Sequence, residues 1–367
     1  MKLTCSRESL LNSITVVSKA VSNRTTLPIL ECILLKANNA GFYLISNDLE
    51  LAIQSAPIYS TIEEEGAIAL EARLFSEIIR KVIEDTVCIS TNEKGMVIIT
   101  CGNSEFKIMG QSSEEFPEIP IIQRNTEYCI LQNRLKNIIR QTIFSIAQDE
   151  SKPILTGELM EINEDELHIV SVDGYRISYR KQKLLKTGEK IAAVVPGKTL
   201  SEISKILSNV EENIVSLFFT DKHILFNINE NIIVSRLIEG EYIKYAQSFT
   251  EDFKTKIHIN RLLFVQALER VSLICRDSKK VPVKIEITQN ELIITSNTEI
   301  STAYEEVVAD IEGETLKIAF NPKYLIDALK VIEEEQICIQ FTTSLSPCII
   351  KPINGDDYKY LILPLRI

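Results

Sequence analysis

A possible phosphate-binding segment lies near the middle of the chain, where Gly197-Lys198-Thr199 follows the run Val194-Val195-Pro196. A P-loop needs a further glycine five positions before its second glycine, so that the backbone can wrap the phosphates. That position holds Ala192, and no glycine lies between Gly188 and Gly197. The triplet alone does not predict an ATPase, and Lys198 needs another explanation.

Residues suited to catalysis or metal binding form no recognisable constellation elsewhere. No G-x-S-x-G sequence occurs, and the carboxylate pairs Asp149-Glu150 and Asp356-Asp357 join adjacent side chains that diverge in direction. The three histidines are far apart, and none of the eight cysteines forms a C-x-x-C pair. Several cysteines, such as Cys88 and Cys338, stand in apolar runs, so we expect small buried hydrophobes in a reducing compartment. We therefore expect no enzyme activity, no cofactor and no metal site.

The composition is that of a globular protein. The chain has 367 residues, of which 45% are hydrophobic and 25% are charged, and this length suggests two or three domains. No stretch approaches the roughly 18 apolar residues of a membrane span. Arg7 and Glu8 interrupt the N-terminal segment early, so we expect no signal peptide and a cytoplasmic location. The net charge of −11 does not reveal how the 40 basic residues are distributed.

An internal repeat of 125 residues explains Lys198. The segments that begin at Glu71, Pro196 and Asn321 carry Arg73, Lys198 and Lys323 at the same position. Their apolar residues recur at i, i+3 and i+7, which is the pattern of an amphipathic helix. These sets are Phe75/Ile78/Val82, Leu200/Ile203/Leu207 and Leu325/Ala328/Ile332.

Hairpins recur at the same interval. Segments that begin at Phe42, Leu167 and Leu292 each alternate, break at a turn near Asp48, Asp173 or Thr298, and alternate again. A further helical stretch opens each copy. The chain is thus predicted to be α+β, with three repeated domains of two helices plus antiparallel sheets. The expected domains are residues 1–120, 127–245 and 254–367.

Each second helix carries two basic residues seven positions apart, so that both lie on one helical face. One such face is typical of any solvated helix, but three in the same register suit a repeated anionic ligand such as duplex DNA. No base-reading motif occurs, so binding would be independent of sequence. The three pairs are Arg73 and Arg80, Lys198 and Lys205, and Lys323 and Lys330.

Several stretches resemble the bacterial sliding clamp family, the beta subunit of DNA polymerase III. The resemblance covers the whole chain and is carried by NRTTLPIL (23–30), NDLE (47–50), VDGYRIS (172–178), VPGKTLSEI (195–203) and YLILPLRI (360–367). It implies the DNA clamp fold, a head-to-tail homodimer closed into a ring, and double-stranded DNA passing through the hole. The partners it implies are the replicative polymerase, the clamp loader and other proteins with clamp-binding motifs.

The resemblance also implies roles for particular residues. It adds Arg24, Gln148 and Lys152 to the DNA-binding positions, and Phe106, Ile108, Leu273 and Ile274 to a dimer seam. Partner peptides would dock between the second and third domains, where Ile243 and Gln247 replace the proline and arginine expected of the family. The other pocket positions are Gly174, Tyr175, Arg176, Ile177, Leu345, Leu363, Pro364, Leu365 and Arg366.

One alternative from the residues stays open. A repeat scaffold that binds only proteins would carry the same repeats with an idle basic face.

Overall fold

The computed structural model describes residues 1–22, 25–149, 151–250, 252–275 and 281–366. Six α-helices lie in this part of the chain, two in each repeat. They are α1 (Arg7–Val17), α2 (Ala72–Lys81), α3 (Gln132–Arg140), α4 (Gly197–Ile206), α5 (Arg261–Val271) and α6 (Pro322–Val331). No helix in these ranges is long and apolar enough to cross a membrane.

The second helix of each repeat follows the predicted interval. Helices α2, α4 and α6 are each ten residues long and begin 125 positions apart. Side chains just before the helices satisfy free backbone N–H groups at two of these N-termini, since Glu71 accepts from Arg73 N and Asn321 accepts from Lys323 N. The apolar sets predicted for these helices are all buried, so the expectation of amphipathic helices is confirmed.

Two compact units make up the chain. The first comprises residues 1–133, 185–188 and 205–237. It contains a five-stranded sheet with the order β5-β1-β7-β8-β9 and an eight-stranded sheet with the order β10-β15-β16-β17-β4-β3-β2-β6. The strands of the five-stranded sheet are β1 (Lys2–Ser6), β5 (Ser60–Glu64), β7 (Thr86–Thr91), β8 (Met96–Cys101) and β9 (Ser104–Met109). The strands of the eight-stranded sheet are β2 (Cys32–Asn38), β3 (Gly41–Asn47), β4 (Leu51–Gln54), β6 (Gly66–Glu71), β10 (Tyr128–Leu131), β15 (Ile214–Phe219), β16 (His223–Ile228) and β17 (Asn231–Arg236).

The second unit comprises residues 134–184, 189–204 and 238–367. Its sheets have nine strands in the order β14-β11-β12-β13-β26-β25-β24-β18-β22 and four strands in the order β21-β20-β19-β23. The nine strands are β11 (Gly157–Asn163), β12 (Glu166–Val172), β13 (Arg176–Lys183), β14 (Ile191–Pro196), β18 (Thr255–Asn260), β22 (Asp310–Gly313), β24 (Gln336–Phe341), β25 (Cys348–Pro352) and β26 (Tyr358–Ile362). The four strands are β19 (Val283–Ile287), β20 (Glu291–Asn297), β21 (Thr302–Val308) and β23 (Leu316–Phe320).

The three predicted hairpins are present and superpose on the repeat. Their innermost pairs are Asn47 with Ala52, Val172 with Ile177, and Asn297 with Thr302, which lie 125 residues apart. All pairings among the described strands are antiparallel, and two of them join different repeats. Strand β17 pairs with β4, and β26 pairs with β13. Strands β9 and β21 each lie at the edge of their sheet.

Candidate functional sites

The Gly197-Lys198-Thr199 segment contains no phosphate-binding loop. Strand β14 ends at Pro196 and α4 begins at Gly197, so no residue is left to form a loop. A Cβ on Gly197 would lie 2.4 Å from Ile146 Cδ1 and 2.9 Å from the carbonyl oxygen of Thr156. The glycine is therefore needed for close packing of the helix start, and Lys198 is simply an exposed residue of its first turn.

All six basic residues of the second helices are exposed. Arg73 pairs with Glu77 at 3.3 Å, and Lys330 pairs with Glu269 at 2.6 Å. Both pairs are solvated, so they contribute little to stability and give way easily to another anion. Because the apolar residues of the same helices are buried, each basic pair lies on the outward face, where it can meet phosphates.

The remaining DNA-binding candidates lie outside these helices. Gln148 and Lys152 are exposed in the segment that leads into a short 3-10 helix at Pro153–Thr156. Arg24 lies outside the described residues. In the first unit, a cleft of about 470 Å³ beside α2 is lined by Arg73 and Arg80.

The peptide-pocket candidates of the second unit begin at a tight turn after β12. The Asp173 carboxylate accepts hydrogen bonds from the backbone N–H groups of Tyr175 and Arg176, at 2.9 and 3.1 Å. Gly174 has a φ of +89°, a conformation that glycine adopts without steric cost. The turn leaves Tyr175 58% exposed, and its ring stacks on that of Tyr324 with the centroids 6.0 Å apart.

Arg176 is buried beneath this turn. Its Nε donates to Asp173 at 2.9 Å, its Nη1 donates to Asp327 at 2.8 Å, and its Nη2 donates to the carbonyl of Phe144 at 2.6 Å. The guanidinium also lies 4.5 Å from the centroid of the Tyr324 ring. Burial, followed by the charge of Asp173, raises the pKa of Tyr324. With these donors committed, Arg176 positions Tyr175 and Tyr324 rather than offering itself to a peptide.

The C-terminal candidates lie at the same end of the nine-stranded sheet. Strand β26 ends at Ile362, and the Leu363 N–H donates to the carbonyl of Tyr175 at 2.9 Å. Leu365 N donates to Ala319 O at 2.8 Å, while Pro364 has no N–H to donate. Arg366, the last described residue, is exposed. The stretch YLILPLRI is thus not a single strand, because only its first three residues belong to β26.

Leu345 reaches the same end of the sheet from another strand. It precedes β25, whose first residue, Cys348, pairs with Ile362. Leu345 is 70% exposed and Leu363 is 38% exposed. Tyr175, Leu345 and Leu363 therefore gather exposed apolar surface at one place, and such surface is a mark of interaction sites.

Ile177 belongs to a second apolar cluster, on the face of β13 opposite Arg176. The buried cluster includes Leu155, Val172, Tyr242 and Leu361. Ile243, which is 41% exposed, follows Tyr242 directly and so adjoins the cluster.

Gln247 lies farther from the turn. It is an exposed residue of the 3-10 helix Tyr245–Ser248. In that helix the Tyr245 ring stacks on Tyr179, two residues beyond Ile177 along β13.

The dimer-seam candidates lie at an edge strand and beside a helix end. Phe106 and Ile108 are half-buried residues of β9, the edge strand of the five-stranded sheet. Leu273 and Ile274 follow α5 in a 3-10 turn at Ser272–Cys275, and Leu273 is 51% exposed.

Sequence profiles of one family cover nearly the whole chain. The profile described as DNA polymerase III beta subunit, N-terminal domain, matches residues 1–120. The central-domain profile matches residues 129–244, and the C-terminal-domain profile matches residues 247–366. The chain belongs to this family.

Relatives and solved structures agree with the profiles. The chain is 38% identical to the beta sliding clamp of Bacillus subtilis, with all of both proteins covered, and 35% identical to that of Staphylococcus aureus, with 100% of this chain and 99% of the relative covered. The crystal structure of a DNA polymerase III beta subunit from Eubacterium rectale matches with a TM-score of 0.97 at 42% identity, over all of both chains. The clamp structure from Bacillus subtilis matches with a TM-score of 0.97 at 37% identity, over 100% and 99% of the two chains.

The chain has the three-domain clamp fold, with helices and antiparallel sheets as predicted. As a sliding clamp it is a processivity factor of DNA polymerase and not an enzyme. In the part of the chain that the structure describes, no group of three or more potential ligands is arranged to hold a metal ion.

The first helices of this clamp hold the second ones through residues that the sequence analysis did not single out. Arg7, the first residue of α1, donates to the carbonyls of Ile79 and Arg80 at 3.1 and 3.0 Å. Arg261, the first residue of α5, donates to those of Leu329 and Glu334. Each arginine satisfies carbonyls at the C-terminal end of a second helix. Their equivalent place at the helix start was the available signal.

One expectation about the cysteines is wrong. Cys88 is exposed rather than buried, because β7 alternates and turns Val87 and Ile89 to the core but Cys88 to the other face. Cys5 and Cys348 are buried as expected, and burial is the main reason that the pKa of each thiol is raised to about 12.

Proposed function

We propose that two copies of this clamp join head to tail into a ring that encircles double-stranded DNA and slides along it without sequence specificity. Each chain supplies three domains, residues 1–120, 127–245 and 254–367, and works in the cytoplasm. The cleft around Tyr175, Leu345 and Leu363 holds the replicative polymerase, the clamp loader and other partners with clamp-binding motifs.

The pattern of strand pairing carries the proposal of a closed ring. The hairpin strands β4 and β13 each pair with the last strand of the following repeat, which is β17 or β26. The third hairpin strand, β21, and the first repeat's last strand, β9, are both left at sheet edges. Exposed edges are normally protected, and pairing β21 of one copy with β9 of another protects both. Two such seams close a head-to-tail dimer.

The repeat also predicts the register of the seam. Ala52 pairs with Val234, and Ile177 pairs with Leu361. Strands β9 and β17 begin 127 residues apart, as do Val234 and Leu361. Carried one repeat further, the same pairing sets Thr302 of one copy opposite Lys107 of the other. Phe106 and Ile108 would then pack against the partner copy beside Leu273 and Ile274.

The proposed DNA surface consists of the exposed basic pairs on α2, α4 and α6, together with Arg24, Gln148 and Lys152. Lysine and arginine bind phosphates without reading bases, so these contacts would permit sliding. The other exposed charges of an acidic protein repel DNA elsewhere. This division reconciles a net charge of −11 with DNA binding.

The test is retention on circular DNA by a covalently closed ring. A Lys107→Cys/Thr302→Cys variant in a Cys88→Ser background is loaded on nicked circular plasmid by the clamp loader and then oxidised. Opposed residues in an antiparallel pair are close enough for a disulfide, so we expect a covalent dimer. It should stay on the circle in about 1 M NaCl, where phosphate contacts are screened, and leave when the plasmid is cut.

A matched control moves one cysteine along the same strand. Lys107→Cys/Val308→Cys places the thiols roughly 20 Å apart in the proposed register and should give no covalent dimer. Equal cross-linking of both variants would contradict the register. Loss of the cross-linked protein from uncut plasmid at high salt would contradict encirclement.

A further inference from the structure

Two lysines face each other on the nine-stranded sheet. Strands β25 and β26 pair Ile349 with Leu361, and two residues further along the ladder the same register sets Lys351 opposite Lys359. Like charges directly opposite each other on a sheet are destabilising. Among the described residues, no carboxylate forms an ion pair with either lysine, and nearby Asp356 is bound to Lys181 at 2.7 Å.

These lysines line a cleft of about 320 Å³ together with aromatic and polar side chains. Phe253 is 44% exposed, and the Lys359 ammonium lies 5.9 Å from the centroid of the Phe249 ring. Gln340 and Ile349 are buried in the floor. The cleft thus joins two positive charges to apolar walls. The remaining lining residue is Thr250.

The cleft continues from the proposed peptide site along the same sheet face. Side chains two apart on a strand share a face, so Lys359 lies beside Leu361 and Lys351 beside Ile349. Leu361 belongs to the cluster that contains Ile177 and Tyr242. A chain anchored at that cluster can therefore reach the lysines within a few residues.

We propose that Lys351 and Lys359 bind an acidic stretch next to the apolar anchor of partner peptides, and so select among partners. The inference rests on the proposed peptide site. An acidic peptide fits better than nucleic acid because the lysines adjoin an apolar cleft where side chains can anchor. Carboxylates there would relieve the repulsion between the two ammonium groups.

The test compares three fluorescein-labelled peptides by anisotropy at low salt. One has the apolar core Leu-Gly-Leu-Phe flanked by Gly and Ser, and the other two add three Asp residues before or after the core. On the unaltered clamp, one acidic peptide should bind roughly three- to tenfold tighter than the neutral one. Lys351→Gln/Lys359→Gln should remove that gain and leave the neutral peptide unchanged.

The control variant Lys183→Gln/Lys317→Gln removes the same charge elsewhere and should keep the gain. An equal loss in the control would mean general electrostatic attraction and would overturn the proposal, as would a neutral peptide that binds with no acidic gain. If the neutral peptide fails to bind but an acidic one binds through the lysines, the peptide site is wrong and the lysine cleft stands. Lysine-dependent binding of the oligonucleotide dT12, stronger than that of the acidic peptides, would assign the cleft to nucleic acid and overturn it.

Discussion

The junction of the first and second repeats and that of the second and third are built on one backbone pattern. At the first, Asp48 accepts from Leu51 N at 2.8 Å, and at the second, Asp173 accepts from Arg176 N at 3.1 Å. The residue after each aspartate has a positive φ, +76° at Leu49 and +89° at Gly174. The strand from the next repeat joins in the same way. Arg236 N donates to Glu50 O, and Leu363 N donates to Tyr175 O, both at 2.9 Å.

The side chains on this common backbone differ in kind. Val172, Ile177 and Leu361 form the apolar cluster of the second junction, and their counterparts at the first are Asn47, Ala52 and Val234. Asn47 Nδ2 lies 3.4 and 3.5 Å from the carbonyl oxygens of Pro117 and Glu118. An amide that ties down a passing segment therefore replaces part of an apolar surface.

The first junction also carries charge where the second is apolar. Its cleft of about 210 Å³ is lined by Glu50, Glu118, His223 and Arg236. Burial, together with the charges of Arg236 and Lys222, lowers the pKa of His223. Covering such groups with apolar side chains would strip them of water. The comparison teaches that the repeat sets the backbone, whereas a few side chains decide which junction accepts an apolar peptide.

The largest expected effect comes from giving the second junction the residue of the first. Leu51 is buried where Arg176 stands in the next repeat, so Arg176→Leu copies it. The change leaves Asp173 and Asp327 without their shared cation and should destabilise the second unit by roughly 3 to 4 kcal/mol. Calorimetry would show a lower first transition, and Asp327→Asn added to the variant should recover part of the loss. An unchanged transition would mean that Arg176 does not hold this turn.

Glu158 marks a second difference between the repeats, because its counterpart 125 residues earlier is the buried Ile33. Neither of its carboxylate oxygens accepts a hydrogen bond from the described residues. Ser171 and Thr142 lie nearby, but their hydroxyls donate to the carbonyls of Thr142 and Ile138. Burial raises the pKa of Glu158 from 4.5 to about 8.

The folded protein therefore holds a proton on Glu158 that the unfolded chain releases above about pH 4.5. Stability is lost as the pH rises from 4.5 to 8, and the loss is complete above 8. Glu158→Gln should match the unaltered protein at pH 4.5 and exceed it by roughly 2 to 3 kcal/mol at pH 9. Urea unfolding at the two pH values measures this. A gain that is the same at both would show that ionisation of Glu158 is not the cause.

A smaller effect is expected on peptide binding. Tyr175→Ala/Leu363→Ala removes exposed apolar contacts at the second junction and should weaken the neutral apolar peptide roughly 10- to 30-fold, or about 1.4 to 2 kcal/mol. The positional counterpart, Glu50→Ala/Arg236→Ala at the first junction, should leave affinity within about twofold. Anisotropy titrations of both variants make the comparison. Equal weakening by the two would mean that the junctions share the peptide.

Strong periodicity made much of the fold predictable from the sequence. The second helices and the three hairpins follow from apolar spacing and an interval of 125 residues, and both are local patterns. The joining of β17 to β4 and of β26 to β13 is not local, since it depends on strands about 180 residues apart. No periodicity in one repeat predicts which strand of another will join it.

The candidate sites were predictable to different degrees. Exposure of the six basic residues follows from their helical faces. The network of Arg176 does not, because Phe144 and Asp327 come from distant segments. Comparison with Ile33 was a signal for Glu158, and strand alternation was one for Cys88. Both were visible in the sequence once register was considered.

The smallest expected effect concerns the positive φ that the two turns share. Leu49 holds a φ of +76°, which costs a residue with a Cβ roughly 1 kcal/mol, whereas Gly174 adopts its φ of +89° freely. Leu49 is also 56% exposed, so shortening it removes little packing. Leu49→Gly should therefore raise stability by up to about 1 kcal/mol despite the greater freedom of glycine in the unfolded chain, whereas Gly174→Leu should lower it by a similar amount. Thermal unfolding of the two variants gives the signs, and a loss in Leu49→Gly would mean that the leucine side chain stabilises the first junction by more than its backbone strain costs.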